Sequence, residues 1–545
     1  MRVYSILLAV ILMLSCAKQA FPPGGPEDKT PPEIIGMFPE MGALNVPLNT
    51  EIRVLFDEPI QRGSAEDHIF ITPNPGAGVH FKWRRKQLRI RFTGNLDSNR
   101  TYVIAMGSGI RDYRNNTMTK TTILAFSTGS ELDQGKIDGH VYTEDTGVSV
   151  WAYPLGGQAP DPRIEQPEYV VQCGKDGSFQ FSYLARKLYR LFAVLDRRAD
   201  LLYQPVEDAV GLTNRDIDLR SVPSAGRVYF RMTREDTLAP RLLRAGSIRN
   251  NLIFLQFNEP VQLTDSVKIS LTPADSGILP LTVAAFYPDP ENGQRILVNT
   301  SIQSEREWTV NVTDVYDSAG HSLDSLFRTT RFTGSAQPDT TPPRVMAFRP
   351  ERGQRDVELE PVIHILFSEA VDSILWQSRI VLKTGESPMP LEEAGLAPNR
   401  WMVKPCDMLT SKTSYQLSLD SIADYAGNVF DTSMTFTTLN ADTLSEILGM
   451  VASQDSSDHT VILTLQDIQG KKKYERQIEK SGEFQFDSIF PGLYRLSAFE
   501  DMDGNGRYSF GQVIPFKPSE PFAVLPDTIK ARSRWKNGGN DISLP

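Results

Sequence analysis

The chain has little of what most enzymes and small secreted scaffolds are built from. Its 545 residues hold only three cysteines, Cys16, Cys173 and Cys406. The first lies in a leader described below and the other two fall in separate repeats. A disulfide framework is therefore not expected, and Cys173 and Cys406 read as small buried hydrophobes. Six histidines, His68, His80, His140, His321, His364 and His459, are scattered without His-x-x-x-His spacing, and no Cys-x-x-Cys pair occurs. That removes the usual zinc sites. No Gly-x-Ser-x-Gly elbow and no phosphate-cradling glycine loop appears either. Positive charge is in deficit, with a formal net charge of −10, which disfavours nucleic acid as a partner. After the leader, no apolar stretch is long enough to cross a bilayer as a helix.

What the chain does have is repetition, which fixes architecture before any local pattern does. One unit occurs three times. Its first copy has Lys29-Thr-Pro-Pro32, Ile52-Arg-Val-Leu-Phe-Asp-Glu-Pro59, Arg111-Asp-Tyr-Arg-Asn115 and Ala125-Phe-Ser-Thr128. The middle copy has Asp236-Thr-Leu-Ala-Pro240, Ile253-Phe-Leu-Gln-Phe-Asn-Glu-Pro260, Val315-Tyr-Asp-Ser-Ala-Gly320 and Arg331-Phe-Thr333. The last has Asp339-Thr-Thr-Pro-Pro, Ile363-His-Ile-Leu-Phe-Ser-Glu369, Ala423-Asp-Tyr-Ala-Gly-Asn428 and Thr435-Phe-Thr-Thr438. Proline enters each unit extended, Ile52, Val54 and Phe56 alternate with neighbours to bury one strand face, and Asp with Gly or Asn supplies turn chemistry. Glu58, Glu259 and Glu369 recur at one strand end, which points to a structural place at a sandwich rim rather than to three acid sites. In this order the motifs resemble the bacterial Ig-like domains of surface-layer and other cell-surface proteins, and imply β-sandwiches over 29–130, 236–335 and 339–439.

A second repeat lies between and after these units. Lys175-Asp-Gly-Ser-Phe-Gln-Phe-Ser182 matches Lys480-Ser-Gly-Glu-Phe-Gln-Phe-Asp487, and Leu188-Tyr-Arg-Leu-Phe-Ala-Val194 matches Leu493-Tyr-Arg-Leu-Ser-Ala-Phe499, at one constant offset. Gly135-x-Ile-x-Gly139-x-Val141 opens the first copy much as Ile447-Leu-Gly-Met-Val451 opens the second. The pattern resembles the transthyretin-like domains found beside carboxypeptidases and in surface proteins, and implies compact sandwiches over 131–225 and 441–545. It carries none of the catalytic zinc residues of those enzymes. The fold class is thus all-β, with tandem Ig-like and transthyretin-like β-sandwiches of about 100 residues each, a size that buries roughly two-thirds of its unfolded surface.

The start of the chain stands apart. Arg2, the apolar run Ile6 to Leu14 and Leu14-Ser15-Cys16 make a leader too short to span a bilayer. It resembles a bacterial lipoprotein signal over 1–16, in which Cys16 becomes the lipidated N-terminus. Ala17 in the next position implies the outer membrane by analogy with lipoprotein sorting. Residues 17–28, with Phe21-Pro-Pro-Gly-Gly-Pro-Glu-Asp28, form a stiff polar tether.

One segment carries metal chemistry. Asp501-Met-Asp503-Gly-Asn505-Gly506-Arg507 places oxygens at loop positions 1, 3 and 5 and Gly at position 6, and Gln512 stands at position 12. A hard cation needs such alternating oxygens, and the loop resembles the EF-hand calcium loop. It departs in having Gln512 for a bidentate Glu and a strand before it, and Arg507 would give only its backbone carbonyl. The expected ligands for Ca2+ are Asp501, Asp503, Asn505, Arg507 and Gln512. In the first copy of this repeat Asp196, Arg198 and Asp200 stand at the same places, and a cation beside Arg198 would be repelled.

Asp followed by Ser or Thr and an aliphatic residue recurs, as in Asp236-Thr-Leu, Asp324-Ser-Leu, Asp372-Ser-Ile and Asp420-Ser-Ile. It resembles the O-glycosylation acceptor of Bacteroidetes, with plain turn chemistry as the alternative. The sequence reads as a non-enzymatic, lipid-anchored cell-envelope protein, a rod of alternating domains bound to the outer membrane and facing the periplasm or the surface. Its expected role is structural, adhesive or ligand-binding toward a protein or glycan, with no nucleic acid. The alternative is an accessory subunit or divergent enzyme of polysaccharide degradation, acting through aromatics such as Trp83, Trp151, Trp376, Trp401 or Trp535.

Overall fold

The computed structural model describes residues 28–545 except 77, 108, 275, 276, 375, 454–458 and 480. The leader, Cys16 and residues 17–27 of the tether lie outside the described residues. The chain separates into two compact units. One takes the residues up to Thr233 together with Ser509–Glu520, and the other takes Arg234–Tyr508 and Pro521–Pro545. Both are built of strands, and the tandem β-sandwich class is as expected.

In the first unit Ile34–Phe38, Ile52–Phe56, Gln87–Phe92 and Val79–Arg84 form one antiparallel sheet in that order. Ile69–Thr72, Thr101–Met106 and Thr122–Ser127 form the other. Ile52, Val54 and Phe56 all point inward, as their alternation requires, and meet Tyr102, Ile104, Leu124 and Phe126 from the opposite sheet. The second unit repeats this order twice. Leu242–Arg249, Leu252–Phe257, Arg295–Thr300 and Val283–Pro288 oppose Lys268–Pro273, Glu307–Thr313 and Thr329–Thr333. Val345–Arg349, Ile363–Phe367, Arg400–Pro405 and Leu391–Ala397 oppose a sheet centred on Ile380–Thr384, Ser414–Ala423 and Val429–Thr437. Ile253, Leu255, Phe257 and Ile363, Ile365, Phe367 occupy the places of Ile52, Val54 and Phe56. Tyr102 accepts the Asp97 amide at 2.9 Å and Tyr415 the Thr410 amide at 2.8 Å, whereas the middle copy has Trp308 there, donating to Ser304 O.

The second kind of sandwich occurs once in each unit. Gly135–Tyr142 lies between Ser178–Leu184, antiparallel, and Ser224–Arg231, parallel. Ser445–Ala452 lies likewise between Gly482–Ile489 and the short parallel strands Lys536–Asn537 and Ile542–Ser543. Phe179 and Phe181 in one copy, and Phe484 and Phe486 in the other, are buried. Tyr189 donates to Ala185 O at 2.8 Å and Tyr494 to Phe490 O at 2.9 Å, so even the polar tips agree. The central glycines are required by close approach. A Cβ on Gly139 would stand 1.9 Å from Val228 O and 2.8 Å from the Phe179 ring, and on Gly449 2.4 Å from Asn540 O and 2.7 Å from the Phe484 ring.

Alternate residues of the Ser149–Leu155 and Leu188–Leu195 strands point to a further core in the first unit. There Trp151, Tyr153, Phe192 and Tyr203 are joined by Val513 and Phe516 of the 509–520 segment, and Arg190 stacks 3.6 Å above the Phe516 ring. Of the tryptophans named above, Trp151, Trp376 and Trp401 are buried, Trp83 packs on Phe56, and Trp535 stays 58% exposed. Cys173 packs against its core but Cys406 is exposed, contrary to the reading of both as buried.

Candidate functional site

The repeated motifs of the Ig-like copies converge at one rim of each sandwich. The residue between Phe and Glu is a cap. Asp57 Oδ1 accepts the Glu33 amide at 2.8 Å, Asn258 Oδ1 the Arg241 amide at 2.5 Å and Ser368 Oγ the Arg344 amide at 3.1 Å. Each pins the entering segment to the end of the next strand. The turn aspartate does similar work. Asp112 Oδ1 accepts the Arg114 and Asn116 amides and its Oδ2 the Asn116 side chain. Asp424 does the same with Ala426 and Asn428, and Asp317 with the amide and ring of His321. Asn116 and Asn428 reach on to Asp28 O and Asp339 O, tying turn to entry. Asn115 carries the positive φ that Gly320 and Gly427 supply in the other copies, so the turn's polar partner is Asn116.

The entry aspartate, the strand-end glutamate and the turn aspartate thereby form a cluster. In Asp28, Glu58, Asp112 and again in Asp339, Glu369, Asp424, one oxygen from each residue lies within 4.8 Å of the others. In the middle copy Asp236, Asp317 and His321 meet in this way. Two unit charges 4.8 Å apart repel by roughly 3–4 kcal/mol at an effective dielectric near 20, before solvent screening. The glutamates register it. Burial, with Asp339 and Asp424 beside it, pushes the Glu369 carboxyl up to about 7. Glu58 is raised by burial and by Asp112, Asp57 and Asp28. Glu259 is raised by burial against a hydrogen bond from Asn258, with Asp236 and Asp317 adding to the rise. Asp112 goes the other way, because its hydrogen bonds from Asn116 and Arg114 outweigh burial and hold it below the usual carboxylate range. The glutamates were visible in sequence as a recurring strand end, but the clusters were not. The signal that could have found them is the equal recurrence of three acids, one in each motif.

The loop expected to hold calcium forms a tight turn. Asp501 Oδ1 accepts the Asn505 amide at 3.0 Å and Oδ2 the Gly506 amide at 2.9 Å. Asp503 Oδ1 also accepts the Asn505 amide, at 3.1 Å, and Asn505 Oδ1 the Arg507 amide at 2.7 Å. The turn therefore brings Asp501, Asp503 and Asn505 together and gives their oxygens backbone donors. Gln512 belongs to the other unit, where its side-chain amide donates to Ile514 O at 2.9 Å. In the matching loop Asp196 accepts the Arg198, Ala199 and Leu201 amides, and Arg198 forms a two-bonded pair with Glu207. Three of the Asp-Ser/Thr tripeptides are turns of the same chemistry, with Asp236, Asp324 and Asp372 accepting the amides two residues on.

Fold and rim together define a protein of tandem β-sandwiches with a recurring immunoglobulin-like unit. The sequence model of the bacterial Ig-like domain matches residues 28–128 and 339–438. The middle copy, outside those matches, has the same strand order. No curated relative matches the sequence. Among solved structures, the chain is similar to an L,D-transpeptidase from Mycobacterium smegmatis at 20% identity, over 25% of this chain and 58% of that one, with a TM-score of 0.15. It is similar to the N-terminal part of the bacterial S-layer protein SbsC at 14% identity, over 36% and 44%, with a TM-score of 0.16. For the major pilin subunit of Bacillus cereus the figures are 8% identity, 76% and 99%, and 0.14. The chain thus spans 58% and 44% of the first two proteins' lengths, and superpositions this loose carry no argument about function.

Proposed function

We propose that this is a cell-envelope protein with a structural or adhesive role, held to the bacterial outer membrane by a lipid on Cys16 and presenting its sandwiches as ligand-binding or load-bearing modules. The observation that carries the reading is the triple recurrence of one Ig-like unit, two copies of which match the bacterial Ig-like domain. Repetition of a packed unit serves extension and contact more readily than chemistry at one centre. The leader ending in Cys16 supports the anchor, and among the described residues no helix is long and apolar enough to cross a membrane. Burial of Trp151, Trp376 and Trp401 removes most of the aromatic platform that a polysaccharide-degrading role would use. Calcium on Asp501, Asp503 and Asn505 belongs to the same reading, supported by the spacing of the oxygens.

Fractionation tests the anchor. Cys16→Ser should move the protein from the membrane fraction to the soluble periplasm, because each buried acyl CH2 contributes about 0.8 kcal/mol and a multiply acylated cysteine holds firmly. Unchanged membrane partition of that variant would overturn the anchoring.

A further inference from the structure

One sheet of the first Ig-like copy runs against the charge of the chain. Its strands Ile34–Phe38, Ile52–Phe56, Gln87–Phe92 and Val79–Arg84 contain no aspartate or glutamate. Ile52, Val54, Phe81, Trp83, Leu88 and Ile90 turn toward the core, so the alternate residues Arg53, Lys82, Arg84, Arg89 and Arg91 share the opposite face. The register sets Lys82 beside Arg89 and Arg89 beside Arg53, a row of cations across the sheet, and His80 beside Arg91. Like charges directly opposite one another repel, so the fold gains nothing from this row. Glu51, just ahead of the second strand, is the acid that meets it, pairing with Arg91 and lying 3.7 Å from Arg89. Lys82, Arg84 and, in the turn between strands, Arg85 are exposed and have no ion pair among the described residues.

The architecture does not ask for this charge. The places of Arg53, Arg89 and Arg91 are taken by Phe254, Leu297 and Asn299 in the middle copy. In the last copy they are taken by His364, Met402 and Lys404, and Lys404 is held by Glu392 at 2.7 Å. Nor does the next sandwich of the same unit cover the face. Phe70 joins the core around Trp151, Asn74 donates to Gln166 and Arg100 pairs with Glu168, all from the other sheet and its adjoining loops. Exposed apolar side chains stand among the cations: Leu55, and Phe38 with Arg53 stacked 4.3 Å from its ring. Cations interleaved with apolar tips suit a lipid interface, where the charges meet headgroup phosphates and the apolar groups enter the acyl boundary.

We propose that this sheet face docks the first Ig-like domain onto an anionic lipid surface. The proposal rests on the Cys16 anchor for its reach, since eleven residues, 17–27, separate Cys16 from Asp28 and keep the domain within about 40 Å of the headgroups. A chain with a net charge of −10 is repelled as a whole by such a surface, so the basic face decides which side of the first domain turns toward it. The attraction is screened beyond about 10 Å at 0.1 M salt, so the face orients the domain while the lipid retains it.

Sedimentation with lipid vesicles tests the face on full-length Cys16→Ser protein, which carries no lipid. Failure here leaves the anchor standing, and failure of the anchor in cell fractionation leaves this result standing. The protein should pellet with phosphatidylcholine vesicles that contain phosphatidylglycerol in about 0.05 M salt, stay in solution with phosphatidylcholine alone, and be released by about 0.5 M salt. Lys82→Gln, Arg84→Gln and Arg85→Gln together should weaken that binding roughly tenfold or more, because each cation near the surface adds to the attraction. All three are exposed, so the fold is not at stake. Arg400→Gln with Lys404→Gln, on the matching face of the last copy, should change it less than about twofold. No sedimentation with the anionic vesicles, or equal sedimentation of the triple variant and its parent, would overturn the proposal. So would binding to soluble polygalacturonate without binding to vesicles, which would make the face a site for an anionic polymer.

Discussion

Alanine at Gly139 puts the reading of the second sandwich at direct risk. Its Cβ would stand 1.9 Å from Val228 O, a backbone atom of the neighbouring parallel strand, and 2.8 Å from the Phe179 ring. Neither is the tip of a flexible side chain, so the Gly135–Tyr142 and Ser224–Arg231 strands must part or the ring must leave its place. Overpacking costs about 1–3 kcal/mol at a site, here at the upper end because a backbone atom stands in the way, and Gly→Ala returns about 0.4–1 kcal/mol through the unfolded chain. A net loss of about 2–3 kcal/mol follows, and a tenfold change in an equilibrium corresponds to about 1.4 kcal/mol. Local opening should therefore rise roughly 30- to 150-fold, read by hydrogen exchange in peptides covering 135–142 and 224–231. Gly449→Ala should do the same in the last sandwich, where Asn540 O and the Phe484 ring stand in the way. Gly156→Ala, with nothing within 4 Å, should stay within about 0.5 kcal/mol of wild type. If Gly139→Ala and Gly156→Ala exchange alike, the close pairing at that glycine is wrong.

Three further outcomes can be checked on the same protein. Asp424→Ala strands two amides and the Asn428 side chain and should cost about 2–3 kcal/mol in denaturant titration, whereas an effect below about 0.5 kcal/mol would show that the turn stands without it. Asp501→Ala removes the acceptor of the Asn505 and Gly506 amides and should cost about 1 kcal/mol in chelator. A larger loss in millimolar calcium marks an ion in that turn, and equal losses mark a turn alone. A thiol reagent at pH 8 should label exposed Cys406 well before Cys173, whose thiol burial pushes up to about 12; the reverse order would contradict the packing of Cys173.

The strands that were legible in sequence are those whose side chains meet one repeated demand. Ile52, Val54 and Phe56 alternate, and so do the phenylalanines at 179 and 181, because a half-buried strand has a period of two. The parallel partners of Ser445–Ala452 left no such trace, since Lys536–Asn537 and Ile542–Ser543 are two residues each. Nor did Val513 and Phe516, which sit in a turn-rich segment where an apolar residue has no period to announce its partner. The rim clusters failed for another reason. Asp28, Glu58 and Asp112 lie far apart in the chain, and only strand order brings them to one end of the sandwich. The polar residue in Phe-x-Glu was equally opaque, since Asp57, Asn258 and Ser368 share a hydrogen-bonding role without sharing a residue type.

The rim also separates two kinds of acid that look equivalent in sequence. Asp112 and Asp424 are each held by two amides and a side chain, and Asp317 by one amide and the His321 ring, so their charge is matched where it stands and the fold gains from it. The strand-end glutamates meet carboxylates instead, and Glu369 does so with nothing donated to it among the described residues. Neutral Gln would fit the same strand end without that repulsion, yet Glu stands there in all three copies. Burial and neighbouring carboxylates raise the glutamate in each copy, most in the last, where the Glu369 carboxyl is pushed up to about 7.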